Sequence, residues 1–101
     1  MEGVLTLIGT TWVQDDRGVW RETSRARDIL CRIDSVTRSE FFEGGRNGLN
    51  PELQFTVFSG DYEGEMVCQY EGKQYGIYRT YRVPGTDDME LYAERKGGTN
   101  A

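Results

Sequence analysis

Residues 75 to 83 read YGIYRTYRV, and this is the longest clear alternation in the chain. Tyr75, Ile77, Arg79, Tyr81 and Val83 fall on one phase, with Tyr78, Thr80 and Arg82 on the other. A period of two sets successive side chains on opposite faces of a strand. The phase predicts Tyr75, Ile77 and Tyr81 toward a core, and an exposed sheet face carrying Tyr78 and Arg82. The pattern continues outward in both directions. Downstream, Pro84, Gly85, Thr86 and Asp87 have turn chemistry, and Met89, Leu91 and Ala93 form a closing strand. Upstream, Glu71 and Gly72 make a tight connection to Met66, Cys68 and Tyr70, and before them Leu53, Phe55 and Val57 alternate with Gln54 and Thr56 as far as Gly60 and Asp61.

The first third of the chain alternates as well. Val4 to Ile8 begins a strand that continues through Trp12 and Val13. Asp15, Asp16, Arg17 and Gly18 turn it, because aspartates bond their own backbone and glycine accepts positive φ. Val19 to Glu22 returns as the hairpin partner, and in Arg27 to Val36 the residues Ile29, Cys31 and Ile33 share one face. Six or seven short strands joined mostly by hairpins imply an all-β fold: a small antiparallel β-barrel, in which closure removes exposed sheet edges. A two-sheet sandwich is the alternative. One domain covers residues 1–96, with a polar tail at 97–101. The apolar residues of the first strand, together with Ile29, Cys31, Ile33, Leu53, Phe55, Val57, Met66, Cys68, Ile77 and Leu91, are the expected core.

The segment Ser39 to Glu52, SEFFEGGRNGLNPE, breaks the alternation. Thr37 is placed to cap a helical turn and Glu40 to reach back to the cap residue's N–H, a capping box. Gly44 and Gly45 are expected to end the turn, leaving one short helical turn and a flexible loop around residues 37–50. Phe41 and Phe42 are adjacent, so both cannot face one core, and at least one ring is expected to seek a surface outside the monomer. Phe41, Phe42, Arg46, Asn47 and Leu49 are the candidate interface.

At 101 residues the chain is a single domain, able to bury roughly two thirds of the surface its unfolded form exposes. No apolar run approaches the length of a membrane span, and the N-terminus lacks the pattern of a secretory signal. A cytoplasm-like compartment is expected. Cys31 and Cys68 are the two cysteines; they form no CxxC pair and are expected as buried free thiols. A net charge of −5 argues against sequence-independent nucleic-acid binding, which needs a basic face. Arg17, Arg21, Arg25, Arg27, Arg32 and Arg38 lie in the first forty residues, whereas Glu40 to Glu71 is mostly acidic. Such a distribution reads first as a mixed solvated surface, and it also suits head-to-tail packing of copies or stacking on a partner of opposite charge.

Catalytic equipment is sparse. The chain has no histidine, which removes the usual general base and the commonest metal ligand. Asp61, Glu63 and Glu65 in GDYEGE form the richest carboxylate cluster, yet their spacing is not that of a helix-loop-helix calcium loop, and they read as a solvated turn. GGRNG matches neither a Walker sequence nor a dinucleotide fingerprint. Tyr70, Tyr75, Tyr78 and Tyr81 could stack single-stranded bases on an OB-like sheet, a reading that the acidic balance disfavours. No enzyme, cofactor or metal is expected.

In order and spacing, LTLIG, DDRGVW, DILCRIDSVTRSEFFEGGRNGLNPE, GDYEGE, YEGKQYGIYRTYR and DDMELYAERK resemble the phage head closure family, small head-to-tail adaptors of long-tailed phages and prophages. The resemblance spans nearly the whole chain. It implies a small β-barrel that assembles as a ring, usually twelve-fold, beneath the portal and its adaptor ring in the virion neck, after assembly in the host bacterial cytoplasm. Such a ring closes the DNA exit and offers a docking surface to tail-joining proteins. In some members a loop narrows the channel. The best match for that loop is Glu43 to Asn50, with Glu43, Gly44, Gly45, Arg46, Asn47 and Gly48 at its centre. Phage DNA would pass through the ring without sequence-specific binding, and no membrane is implied.

Overall fold

A computed structural model describes residues 2–95; the expected tail at 97–101 lies outside the described residues. Six strands close a barrel in the order β1, β2, β3, β6, β5, β4. They span Glu2–Gln14 (β1), Trp20–Ser35 (β2), Pro51–Phe58 (β3), Val67–Tyr70 (β4), Lys73–Arg82 (β5) and Asp88–Arg95 (β6), with one helix, α1, at Arg38–Arg46 and a 3-10 turn at Ser59–Asp61. All neighbouring strands are antiparallel. The all-β barrel expected from the alternation is therefore present.

The core fills the barrel along the expected phases. Leu5, Leu7, Ile29, Cys31, Ile33, Phe55, Val57, Cys68, Ile77 and Leu91 are buried in one cluster, joined by Tyr70, Tyr75 and Ala93, with Leu53 packed against it. Tyr70 and Tyr75 meet Phe55 edge to face at ring separations of 5.5 and 5.9 Å, the arrangement favoured by the quadrupoles of aromatic rings. Both cysteines are buried and free, and burial pushes the Cys68 thiol up to about 12.

Several expected core positions fall outside. Of the first-strand apolar residues, Val4 and Trp12 are exposed on the phase opposite Leu5 and Leu7, and Val13 is exposed beyond the reach of β4. Met66 is 70% exposed, because it precedes β4 and belongs to the segment crossing the barrel mouth. Its carbonyl still accepts the Ile77 N–H at 2.9 Å. Tyr81 is exposed as well. The β5–β6 register shifts between Ile77 and Arg79, and such a bulge reverses the faces of everything beyond it. Past the bulge Thr80, not Tyr81, stands opposite the buried Leu91.

Strand β3 and strand β4 lie on opposite sides of the barrel, with two strands between them either way. The chain from Ser59 to Met66 consequently crosses the mouth, and Tyr62 packs onto the core from there. At the same mouth β1 and β2 continue outward as an arm. They pair in unbroken register from Glu2↔Arg32 to Gln14↔Trp20, whereas β4 reaches only Thr6 to Ile8 and β3 only Arg32 to Ser35. The 16 residues of β2, at ~3.3 Å each, make a strand comparable in length to the 52 Å long axis of the molecule.

Candidate functional site

Two connections carry surface that the barrel does not use, and they leave it from opposite ends. The first is α1, between β2 and β3. Thr37 caps it as expected, accepting the Glu40 N–H at 3.1 Å. Glu40, however, does not complete the capping box. Its carboxylate accepts Tyr78 Oη at 2.6 Å and the Arg79 guanidinium, which ties α1 to the outer wall over β5. Burial opposes ionisation of Glu40, but these two donors together hold its carboxyl below the usual range. Tyr78 is thereby half-buried beneath α1, correcting the expectation of an exposed Tyr78; burial and the Glu40 contact raise its pKa. Arg82 is exposed, but past the bulge it stands opposite Met89, which packs on the core, and so does not share the face of Tyr78 as expected. Arg79 also stacks over Tyr92, 3.9 Å from the ring centre.

The helix runs past the two glycines expected to stop it. Gly44 is buried, and a Cβ there would stand 2.3 Å from Pro51 Cγ. This glycine is required because α1 packs directly on the start of β3. The stop comes at Gly48, in the left-handed region at φ +77. Leu49 N donates to Gly44 O at 2.8 Å and Gly48 N to Gly45 O at 3.2 Å, the paired bonds of a Schellman cap. The candidate channel loop is corrected accordingly: Glu43, Gly44, Gly45 and Arg46 are helical, and only residues 47–50 remain as a loop.

Phe41 and Phe42 are 48% and 61% exposed, their rings edge to face at 5.9 Å. Neither belongs to the core cluster. Arg46 and Glu43 pair along the exposed helix at 3.3 Å; Asn47 is exposed and Leu49 half-buried. The candidate interface residues thus share one helix and its cap. A groove of about 470 Å³ between this helix and β5 is lined by Glu40, Glu43, Gly44, Asn47, Leu49, Tyr78 and Arg79.

The second connection is the β1–β2 arm, whose prominence the sequence reading missed. Trp12 and Trp20 are 59% and 60% exposed. Trp12 stands opposite Glu22 and Trp20 opposite Gln14, so both indoles lie on the outer face of the ribbon, continuous with Val4 and Leu30. Arg21 and Arg25, paired with Val13 and Gly9, occupy the other face. The tip is a tight Asx turn in which Asp15 Oδ1 accepts Arg17 N and Val19 N at 2.9 Å each. Asp15 Oδ2 meets Arg21 at 3.1 Å, and the Val19 and Arg21 contacts lower the Asp15 pKa. The signal for the arm was present in the letters: beyond Leu7 and Ile29, the inward positions become Gly9, Thr11, Arg25 and Arg27.

Arg27 fastens the base of the arm to the crossing segment. It donates to Asp61 O at 2.8 Å and forms an ion pair with Glu65, whose side chain is almost wholly buried. Glu65 also accepts Glu63 N at 2.9 Å. Burial opposes ionisation of Glu65, and the Arg27 contact with these backbone bonds still lowers its pKa. The GDYEGE acids are therefore not a uniformly solvated turn: Glu65 is a structural ion-pair partner with its oxygens already engaged.

Among the described residues, no group of three or more His, Cys, Asp or Glu is arranged to hold a metal ion, and no helix is long and apolar enough to cross a membrane. No protein-family model matches the chain, and no curated protein matches it.

Proposed function

We propose that this chain is a structural head-tail connector of a tailed phage or prophage, a subunit of a homo-oligomeric ring beneath the portal and adaptor that closes the DNA exit and receives the tail. The observation that carries the reading is the pair of unpartnered aromatic surfaces, Phe41 with Phe42 and Trp12 with Trp20, on connections leaving opposite ends of one closed barrel. A protein that joins two assemblies needs two separate contact surfaces on a body too stiff to transmit slack. The resemblance in motif order supplies the identity of those assemblies, the virion neck supplies the location, and a ring of about twelve copies is the expected form. Each phenyl ring removed from water contributes on the order of 1.5 to 3 kcal/mol, repeated at every subunit.

The alternative, an OB-like nucleic-acid module, fits less well. Trp12 and Trp20 share one face of the arm and Arg21 and Arg25 the other, so base stacking and phosphate contact would fall on different surfaces.

The test replaces Phe41 and Phe42 together by serine. The expected product is a folded monomer that no longer joins the portal complex, giving DNA-filled heads without tails. Unfolding of the double variant would return both rings to the core, and normal assembly would remove α1 as the docking element.

A further inference from the structure

The arm leaves two strand edges without partners in the chain. Beyond Ile8, β1 pairs only with β2, and from Trp20 to Cys31 β2 pairs only with β1. Each edge presents backbone N–H and C=O groups outside any ladder, and a two-stranded ribbon alone is marginal in water. Edges that remain free in natural sheets are blunted by charge, proline or a bulge. In its own sequence the β1 edge has none of these, although Glu65 of the crossing segment lies against Gly9 at its base. From Gly3 to Gln14 it reads GVLTLIGTTWVQ, without a charged residue or proline, and its register with β2 contains no shift.

We propose that the free β1 edge of one copy, Gly9 to Gln14, pairs with the free β2 edge of a second copy of this chain, so that the arms form one continuous antiparallel sheet. This rests on the reading of the chain as a ring-forming subunit and names the surface through which neighbours meet. The two edges lie on opposite sides of the hairpin and run in opposite directions. Copies related by rotation about an axis along the arms therefore repeat the order β1, β2, β1, β2, and every new pairing is antiparallel.

Charge and closure together select this arrangement over the two symmetric ones. Two β2 edges together would bring Arg21 and Arg25 of each copy among those of the other, and like charges facing across strands destabilise. Two β1 edges would join a single two-fold pair and leave both β2 edges open. The mixed pairing sets an uncharged strand beside a charged one, and closure into a ring leaves no edge. All copies of Trp12 and Trp20 then share one face of the sheet, and all copies of Arg21 and Arg25 the other.

Amide hydrogen exchange on the full chain, measured from dilute to concentrated protein, tests the pairing. Alternate amides in Gly9–Gln14 and in Trp20–Leu30 should slow as concentration rises, since every second N–H of each strand points away from its intrachain partner. Core amides such as Phe55 and Leu91 should be slow throughout. Placing charge on the open edge with Thr10→Lys and Val13→Lys, both exposed, should abolish the concentration-dependent protection while leaving the core amides unchanged. Arm exchange independent of concentration overturns the proposal, as does undiminished protection in the lysine variant. Association with slowed exchange elsewhere and an unchanged arm would sink the proposed edge pairing and leave the ring reading standing. The tail-attachment assay of the Phe41 and Phe42 variant tests that reading separately.

Discussion

The same two strands behave differently in their two halves. In the barrel half, inward positions of β1 and β2 are Leu5, Leu7, Ile29, Cys31 and Ile33, all buried. In the arm half they become Gly9, Thr11, Val13, Arg21, Thr23 and Arg25, none of which is buried. The backbone pairing does not change across the boundary. The lesson is that hydrogen-bonded register alone does not decide where a barrel ends; the ladder continues, but neighbours withdraw where the inward face stops offering apolar area. Arg27 and Glu65 mark the boundary itself.

The sharpest way to break this contrast is to hollow the barrel half. Phe55 is fully buried and holds both Tyr70 and Tyr75 edge to face. Phe55→Ala should cost about 3 to 5 kcal/mol, read as a fall in the urea midpoint. A midpoint shift no larger than that of an exposed-site substitution would show that the barrel is not one cooperative core.

A smaller loss is expected at Gly44. A methyl group there meets Pro51 at a distance real Cβ atoms do not show, so Gly44→Ala should cost about 1 to 3 kcal/mol and displace α1 from β3. Gly45 has nothing within reach of an added Cβ. Gly45→Ala should therefore be neutral or slightly stabilising, since alanine favours a helix interior over glycine. Equal effects at the two positions would contradict the packing of α1.

Acid should loosen the boundary between the two halves. Glu65 is held below its ordinary value of 4.5 against the opposing effect of burial. Folding therefore favours its ionised form, and the stability it contributes is complete above the ordinary value and disappears as pH falls through the lowered one. Glu40 adds a second contribution of the same sign at α1. Proteolysis at the base of the arm should accelerate below about pH 4.5, and Glu65→Gln should flatten that acceleration while raising the rate at neutral pH. A rate unaffected by the substitution would show that the Arg27 contact does not anchor the arm.

Much of the barrel was legible because its apolar residues keep one phase, as with Leu53, Phe55 and Val57. The bulge after Ile77 was not, since extra residues in a strand leave the period-two letters unchanged while reversing the faces, and Tyr81 was consequently assigned inward. The helix end was misjudged for a different reason. Gly44 and Gly45 resemble breakers when only propensity is weighed, and nothing local reveals that Pro51 needs the space at Gly44. That at least one of Phe41 and Phe42 faces outward was legible from their adjacency; that both do was not. Glu65 was not: its burial depends on Arg27, which lies 38 residues earlier. Trp12 was read as continuing a strand, but a strand's letters do not say whether a third strand lies beside it.

The smallest expected effect on stability is in the arm, where it is also the most discriminating. The chain's two tryptophans are Trp12 and Trp20, so indole emission reports the arm alone, while the tyrosines Tyr70 and Tyr75 report the barrel core. Trp12→Ser and Trp20→Ser remove exposed rings from outside that core, and each should change the barrel's unfolding free energy by no more than about 0.5 kcal/mol. In the wild-type monomer, heating should shift the indole signal at a lower temperature than the near-ultraviolet tyrosine signal, because a ribbon with few tertiary contacts opens locally at little cost. Coincident transitions would mean that arm and barrel unfold as one unit. Addition of the portal complex should move the indole emission toward shorter wavelength only if the arm becomes covered. An unchanged emission spectrum in an assembled ring would show that the tryptophan face of the arm stays in water and leave α1 as the surface that docks.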